Sequence, residues 1–119
     1  MNDEKLKKSF ILLEGALAEC EIEPDNPLRH AALAKSFEVT FEYVWKFFKR
    51  EAQSAGLEVY SPRDSIKAAA QLGLISNLVQ WNEFLNARNL SVHDYVGMED
   101  EKYLELVKLF GKEVAELVG

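Results

Sequence analysis

The sequence predicts an all-α protein, an up-and-down bundle of four or five helices that forms a single domain over residues 1–119. Two observations indicate this fold class. Hydrophobic residues recur at intervals of three and four nearly throughout, and no convincing stretch alternates with the period of two that is typical of a half-buried strand. A chain of 119 residues can bury one hydrophobic core but is too short for two.

The first predicted helix runs from about Asp3 to Cys20. One apolar stripe follows it at steps of four and three residues, and its members are Leu6, Phe10, Leu13, Leu17 and Cys20. The segment EIEPDNP at 21–27 ends this helix, because two prolines and an Asp-Asn pair cannot continue it.

The second predicted helix is long, from about Pro27 to Ala55. Pro27 suits its first turn, and Gly56 is a natural stop. One face carries Leu33, Phe37, Phe41, Val44 and Phe48, with Trp45 beside them, and the other side carries Val39, Tyr43 and Phe47. A helix that is apolar over more than half its circumference lies at the centre of a bundle or at a subunit interface, and we expect both.

The segment SPRD at 61–64 predicts the start of a third helix. Ser61 can cap this helix, Pro62 fits its first position, and Asp64 can complete a capping box. The helix is short and should end near Gly73.

Two further helices complete the predicted bundle. The fourth begins near Ser76 and ends at Arg88, after which we expect a short turn. The last runs from about Glu99 to Val118, and the acids in its first turn favour the positive end of the helix dipole.

Composition excludes several classes of protein. No apolar run approaches the roughly 18 residues that a membrane span needs, and the N-terminal segment lacks the apolar core of a secretion signal, so we expect a cytoplasmic protein away from membranes. The single cysteine, Cys20, excludes an internal disulfide, and two scattered histidines make a metal site unexpected. No motif for a phosphate loop, a hydrolase nucleophile or a di-iron centre is present, so we expect no cofactor.

The net charge of −6 makes the chain a poor generic binder of nucleic acid, which needs clustered lysine and arginine. Residues 25–75 nevertheless hold seven basic and six acidic groups, so an RNA or nucleotide site would have to be local. His30, near the start of the second helix, has no obvious partner, and we interpret it as a surface or interface residue.

Two charged groups on the second helix are candidate site residues. Glu38 and Glu42 are four residues apart and share a face, where they form either a solvated flank or a group that orients an arginine or histidine from another helix. Lys46, Lys49 and Arg50 lie near the end of the helix. They suit the negative end of its dipole, and they could also flank a site that binds an anion.

The segment RNLSVHDY at 88–95 is either an ordinary polar loop or the functional site of the protein. Metal-free RNA cleavage by 2′-hydroxyl attack needs a group that moves a proton near neutral pH, and His93 can do this. It also needs a fixed cation to stabilise charge on the phosphate, as Arg88 can. One histidine cannot readily act as both acid and base, so this chemistry favours a homodimer that brings two copies to one cleft.

RNLSVHDY resembles the signature of the HEPN superfamily, an arginine with a polar residue directly after it and a histidine that follows after four to six intervening residues. Arg88, Asn89 and His93 occupy these positions. Three segments, FEVTFEYVWKFFK at 37–49, SPRDSIKAAAQLGLI at 61–75 and W…RNLSVHDY at 81–95, extend the likeness over nearly the whole chain. The chain is therefore similar to the HepT-like proteins, also called nucleotidyltransferase substrate-binding proteins.

This resemblance implies a homodimeric toxin of a two-gene module, paired with a small MNT-type nucleotidyltransferase as antitoxin. It implies that Arg88 and His93 form a ribonuclease pair, with Asn89 helping to position one of them. It further implies that Tyr95 accepts AMP from the partner enzyme, which silences the nuclease, although Tyr95 could also be a packing residue. The alternative function is a non-catalytic subunit that presents a nucleotide or another substrate to the partner.

Overall fold

A computed structural model describes residues 3–94 and 100–119, and for residues 90–94 and 100 it describes the backbone alone. These residues form five helices and no strand: α1 (Glu4–Ile22), α2 (Pro27–Ser54), α3 (Pro62–Gln71), α4 (Leu78–Asp94) and α5 (Asp100–Val118). The predicted all-α bundle is confirmed. Within the described ranges, no helix is both long and apolar enough to cross a membrane.

Four of the helices begin where a polar side chain caps a free backbone N–H, and for α4 this side chain is Asn77, which accepts from the N–H of Gln80 at 3.0 Å. Asp3 accepts a hydrogen bond from the first turn of α1 at 3.1 Å, Asn26 from that of α2 at 3.0 Å, and Ser61 from the backbone N–H of Asp64 at 3.1 Å. Each bond satisfies a donor that has no partner within the helix. The predicted start of the third helix at SPRD is therefore confirmed.

Glycine follows the ends of α2 and α3. Gly56 has φ of 83° and Gly73 has φ of 76°, and this left-handed backbone favours glycine because it has no Cβ. Both turns close with backbone hydrogen bonds to the preceding helix, among them that from the N–H of Gly56 to the carbonyl oxygen of Gln53 at 3.0 Å. The two predicted stops therefore have the expected geometry.

Helix α2 lies at the centre of the bundle, where it contacts each of the other four helices. Its core face is fully buried at Leu33, Phe37, Phe41, Val44 and Phe48. Aromatic rings from α4 and α5 pack edge-on against this face, with ring centroids 4.9 Å apart for Phe37 and Phe110 and 5.2 Å apart for Phe48 and Trp81. The central position predicted for this helix is confirmed, and its role in a subunit interface stays a prediction.

Helix α4 is longer than the sequence pattern predicted. We expected it to end at Arg88, but its backbone stays helical to Asp94. The reason is that no glycine or proline occurs between these residues, and polar side chains alone do not end a helix. The segment at 88–94 is therefore part of a helix, and the prediction of a turn directly after Arg88 was wrong.

The structure also corrects the prediction for His30, which we expected at the surface or at an interface. It is 6% exposed, and its Nε2 contacts the carbonyl oxygen of Pro24 in the connection between α1 and α2. Arg29 reinforces the same corner through an ion pair of 3.1 Å with Glu19. His30 is therefore a buried residue that ties down a turn, because the reversing chain leaves a carbonyl group that needs a partner.

An ion pair also joins α1 to α5. The Nζ of Lys108 lies 3.0 Å from Oε1 of Glu21. Hydrogen bonding to Glu21 raises the pKa of Lys108 above its usual value. The stability that this raised pKa contributes is therefore present at neutral pH and is lost as the pH rises through the raised pKa of the lysine.

Removal of the Ser61 cap should weaken the start of α3. We expect Ser61→Ala to lower the free energy of unfolding by about 1 kcal/mol, because the backbone N–H of Asp64 loses its acceptor. Urea denaturation followed by circular dichroism measures this change. Ser54→Ala, at an exposed position in the last turn of α2, is the control and should shift the value by less than about 0.5 kcal/mol. Equal effects of the two variants would contradict the capping role.

Candidate functional site

Arg88 belongs to the inward face of α4. It follows Trp81, Phe84 and Leu85 by seven, four and three residues, and these three side chains are buried. Its own side chain is 24% exposed. The apolar stem of the arginine therefore lies along the edge of the core, with the guanidinium directed toward a neighbouring helix.

That neighbour is α2, where Glu42 receives the guanidinium. Nη2 of Arg88 donates to Oε1 of Glu42. The other carboxylate oxygen, Oε2, accepts a hydrogen bond of 3.1 Å from the indole Nε1 of Trp45. Glu42 is 28% exposed, so the ion pair lies at the boundary between core and solvent, where it is only partly screened by water.

The remaining donors of Arg88 are less engaged. Nη1 donates to Oδ1 of Asn89 at 3.3 Å, and Nε is buried without a hydrogen-bond partner among the described residues. A guanidinium carries five N–H groups, and only two of them have these partners. The group therefore keeps donors that can bind a phosphate in bidentate fashion while Glu42 holds its position.

Glu38 and Lys49 lie on the same side of α2 as Glu42. Glu38 precedes Glu42 by four residues and is half-buried, and Lys49 follows it by seven, or about two turns. In a helix these spacings place all three side chains on one face. Lys49 is therefore the predicted flanking cation that shares the face of the Glu42–Arg88 pair.

Lys46 follows Glu42 by four residues and so borders the same face, and Arg50 lies one turn further on, toward the start of α1. They line a groove of about 630 Å³ together with Tyr43, Phe47 and residues 3–5. Nη2 of Arg50 is 2.5 Å from Oδ2 of Asp3, the residue that caps α1. The charge of Arg50 is thus shared with a structural carboxylate, and Lys46 is an exposed cation of this groove.

His93 and Tyr95 complete the predicted site residues. The backbone of His93 is in α4, five residues after Arg88, so the two positions are about 140° apart around the helix axis and about 7.5 Å apart along it. The side chain of His93 and all of Tyr95 lie outside the described part of the structure. The structure therefore joins Arg88, Asn89, Glu42 and Trp45 into one group, and the roles of His93 and Tyr95 stay predictions.

Sequence reasoning missed two polar groups, one at this site and one elsewhere on α4. It treated Trp45 only as a widening of the apolar face, although a tryptophan three residues after a glutamate can reach that carboxylate on a helix. It did not consider Asn82, whose Oδ1 is buried without a hydrogen-bond partner in the described ranges. Asn82, Asn86 and Asn89 are spaced by four and three residues and form a polar stripe along α4.

The described residues offer no group of three histidine, cysteine, aspartate or glutamate side chains that could hold a metal ion. The chemistry available to the described group is that of a positioned cation and its carboxylate. This arrangement suits recognition of a phosphate.

Comparisons with known proteins cover nearly the whole chain. A family model described as "Nucleotidyltransferase substrate binding protein like" matches residues 2–118. A crystal structure of a protein from Thermus thermophilus is similar, with a TM-score of 0.72 and 25% sequence identity over 90% of this chain and 96% of that one. No curated protein matches the sequence.

A double-mutant cycle should show that Glu42 and Arg88 are energetically coupled. We expect Glu42→Ala, Arg88→Ala and the double variant to give a coupling of about 1 kcal/mol in urea denaturation, because either single change leaves a partly desolvated charge without its partner. The matched control is the Glu21–Lys108 pair, whose side chains are 57% and 34% exposed. It should give less than about 0.5 kcal/mol. A coupling no larger than that of the control would show that the pair is merely a surface contact.

Proposed function

Because the chain belongs to the nucleotidyltransferase substrate-binding family, we propose that it is a HEPN-type toxin, a homodimeric endoribonuclease that needs no metal ion. The observation that carries this proposal is the position of the Arg88 guanidinium, which Glu42 holds at the edge of the core. Arg88 is in α4, the helix that also contains His93. The proposed ligand is RNA, and the proposed antitoxin is an MNT-type nucleotidyltransferase.

The proposed reaction is an attack of the ribose 2′-oxygen on the adjacent phosphorus. The bond between the 2′-oxygen and phosphorus forms while the bond between phosphorus and the 5′-oxygen breaks, which leaves a 2′,3′-cyclic phosphate and a free 5′-hydroxyl. A neutral His93 takes the 2′-hydroxyl proton, and a protonated histidine gives a proton to the departing 5′-oxygen. Arg88 stabilises the negative charge that develops on the phosphate oxygens.

A second copy of the chain supplies the second histidine. Because Arg88 and His93 are about 140° apart around α4, the two positions lie on different faces of the helix. A two-fold axis near α4 would place Arg88 of one protomer and His93 of the partner subunit on one cleft, and it would provide an acid and a base together. The geometry of α4 thus favours a shared site over one contained in a single chain.

The acidity of the chain restricts how RNA can bind. With a net charge of −6, long-range attraction of the phosphate backbone is weak, so affinity must come from contacts at the cleft. Among the described residues, Arg88 and, on the neighbouring helix, Lys46 and Lys49 are cations that could supply such contacts. A short single-stranded segment therefore fits the site better than a long duplex.

The proposed regulation acts through Tyr95. The partner nucleotidyltransferase transfers AMP from ATP to this phenol, so that the tyrosine oxygen bonds to the α-phosphorus and pyrophosphate leaves. The added phosphodiester is negative and bulky, and beside His93 it would repel an RNA phosphate and fill the cleft. The support for this step is the spacing of Arg88, His93 and Tyr95 in the family-like segment.

The second candidate function is a non-catalytic subunit that presents a nucleotide to a nucleotidyltransferase. The description of the matching family favours it, since that description names substrate binding rather than cleavage. The same guanidinium would then hold the phosphates of the nucleotide. The two candidates therefore share the Arg88 site and differ in whether His93 performs chemistry.

Ribonuclease activity is tested with single-stranded RNA in the presence of a chelator. We expect the wild-type dimer to release products with cyclic phosphate ends, and Arg88→Ala or His93→Ala to slow cleavage at least about 100-fold, because each removes a catalytic group. Lys67→Ala, an exposed change on α3, is the control and should cleave normally. If the wild type leaves RNA intact but calorimetry shows nucleotide binding that Arg88→Ala abolishes, the second function holds instead.

Modification of Tyr95 is tested with the partner enzyme and ATP. Intact mass spectrometry should show the addition of AMP to the wild type and none to Tyr95→Phe, because the variant has no phenol oxygen. Tyr60→Phe is the matched control, since Tyr60 is 70% exposed and distant in sequence from the RNLSVHDY segment. Retention of the added mass in Tyr95→Phe would place the modification elsewhere.

A further inference from the structure

We propose that Trp45 is a positioning residue for Arg88, and that it acts by dividing the two carboxylate oxygens of Glu42 between itself and the arginine. The proposal rests on the proposed function of Arg88 as the group that binds phosphate. Trp45 touches neither the RNA nor the reacting atoms in this scheme. Its effect reaches the site through Glu42 alone.

The two oxygens of Glu42 have different partners. Oε2 accepts the indole N–H of Trp45 at 3.1 Å, and Oε1 accepts Nη2 of Arg88. A glutamate side chain has three rotatable bonds, and a carboxylate that is held at both oxygens cannot turn about the last of them. The carboxylate therefore has a fixed plane, and this plane in turn fixes the direction of the arginine.

Trp45 is a suitable anchor because its ring is itself held. The indole is half-buried and packs against the hydrophobic core, while its N–H points to the carboxylate at the boundary with solvent. Tryptophan commonly combines a buried ring with a hydrogen-bonded edge in this way. The core therefore fixes Trp45, Trp45 fixes the carboxylate of Glu42, and Glu42 fixes the guanidinium of Arg88.

Arg88 depends on this support because, among the described residues, little else holds its guanidinium. Its Nε has no hydrogen-bond partner in the described part of the chain, and its contact with Asn89 is long, at 3.3 Å. The described contact with Glu42 is a single bond from Nη2 to Oε1. Movement of Glu42 would therefore be transmitted directly to the arginine.

The division of oxygens also keeps part of the guanidinium free. Arginine and a carboxylate pair readily through two parallel hydrogen bonds, which would occupy two nitrogens of Arg88. The indole N–H draws Oε2 away from this arrangement, so that the N–H of Nη1 that does not bond to Asn89 is left for a phosphate oxygen. Without the indole N–H, Glu42 is free to bind Arg88 with both oxygens and to compete with the substrate.

The main variant is Trp45→Phe, which keeps an aromatic ring but removes the N–H group. We expect it to raise the KM for RNA about tenfold, as expected for the loss of one hydrogen bond to a charged group, and to leave kcat within about twofold. Tyr43→Phe, two residues earlier and on the α1 side of the helix, is the matched control and should leave both constants unchanged. A fall in kcat with an unchanged KM would overturn the proposal.

A rescue experiment separates positioning from a general packing defect. An amide has a single acceptor oxygen, so Glu42→Gln cannot form the paired contact with Arg88. In the Trp45→Phe background, Glu42→Gln should therefore return KM toward the wild-type value. A cavity or a packing fault at Trp45 would not be repaired by this change, and failure of the rescue would contradict the proposed competition.

A measurement that needs no RNA keeps this proposal distinct from the proposed function. In ¹⁵N NMR spectra, the Arg88 Nε–H resonance, assigned by its loss in Arg88→Lys, should shift in Trp45→Phe and not in Tyr43→Phe. The Trp45 indole proton should also exchange faster with solvent in Glu42→Ala, a variant that leaves the core intact. If these changes occur but the wild-type protein does not cleave RNA, the positioning role stands and the proposed nuclease activity is wrong. If neither resonance changes, the positioning role is wrong even where RNA is cleaved.

Discussion

The packing of aromatic rings between α2, α4 and α5 is the constraint on which the rest of the molecule depends. Phe110 of α5 lies between rings of the other two helices, 4.9 Å from Phe37 of α2 and 5.3 Å from Phe84 of α4 in centroid distance, with interplanar angles of 88° and 76°. Such edge-on contacts fix both the separation and the rotation of the helices. The Glu42–Arg88 pair forms at the rim of this cluster because the rings have already set its two helices at bonding distance.

The position of that pair at the rim avoids both the desolvation cost of the core and the strong screening of the open surface. Deeper in the core, two charges would cost several kcal/mol to desolvate, and on the open surface they would add little to stability. With about a quarter of each side chain exposed, Arg88 remains charged, oriented and accessible to an anion. In a chain with a net charge of −6, the proposed recognition of phosphate would depend more on this local arrangement than on the overall charge.

The sequence predicted those parts of the structure that depend on local chemistry. The caps and stops at Ser61, Gly56 and Gly73 could be read from a few neighbouring residues, because they satisfy backbone groups within one turn. The end of α4 was misjudged because polar residues were taken for a loop where no helix breaker exists. The burial of His30 could not be read, since it depends on how a turn folds back. The bond from Trp45 to Glu42 was missed although it is local, because the tryptophan was taken only as part of the apolar face.

The two tryptophans occupy different environments, so the fluorescence of each one is sensitive to a different part of the molecule. Trp81 is 1% exposed within the aromatic cluster, whereas Trp45 is half-buried beside a carboxylate at the candidate site. Emission from Trp81 follows the integrity of the core, and emission from Trp45 follows events at the ion pair. Because the chain contains no other tryptophan, replacing either one isolates the optical signal of the other. Occupancy of the site and unfolding of the bundle can therefore be followed without an added label, each in its own single-tryptophan variant.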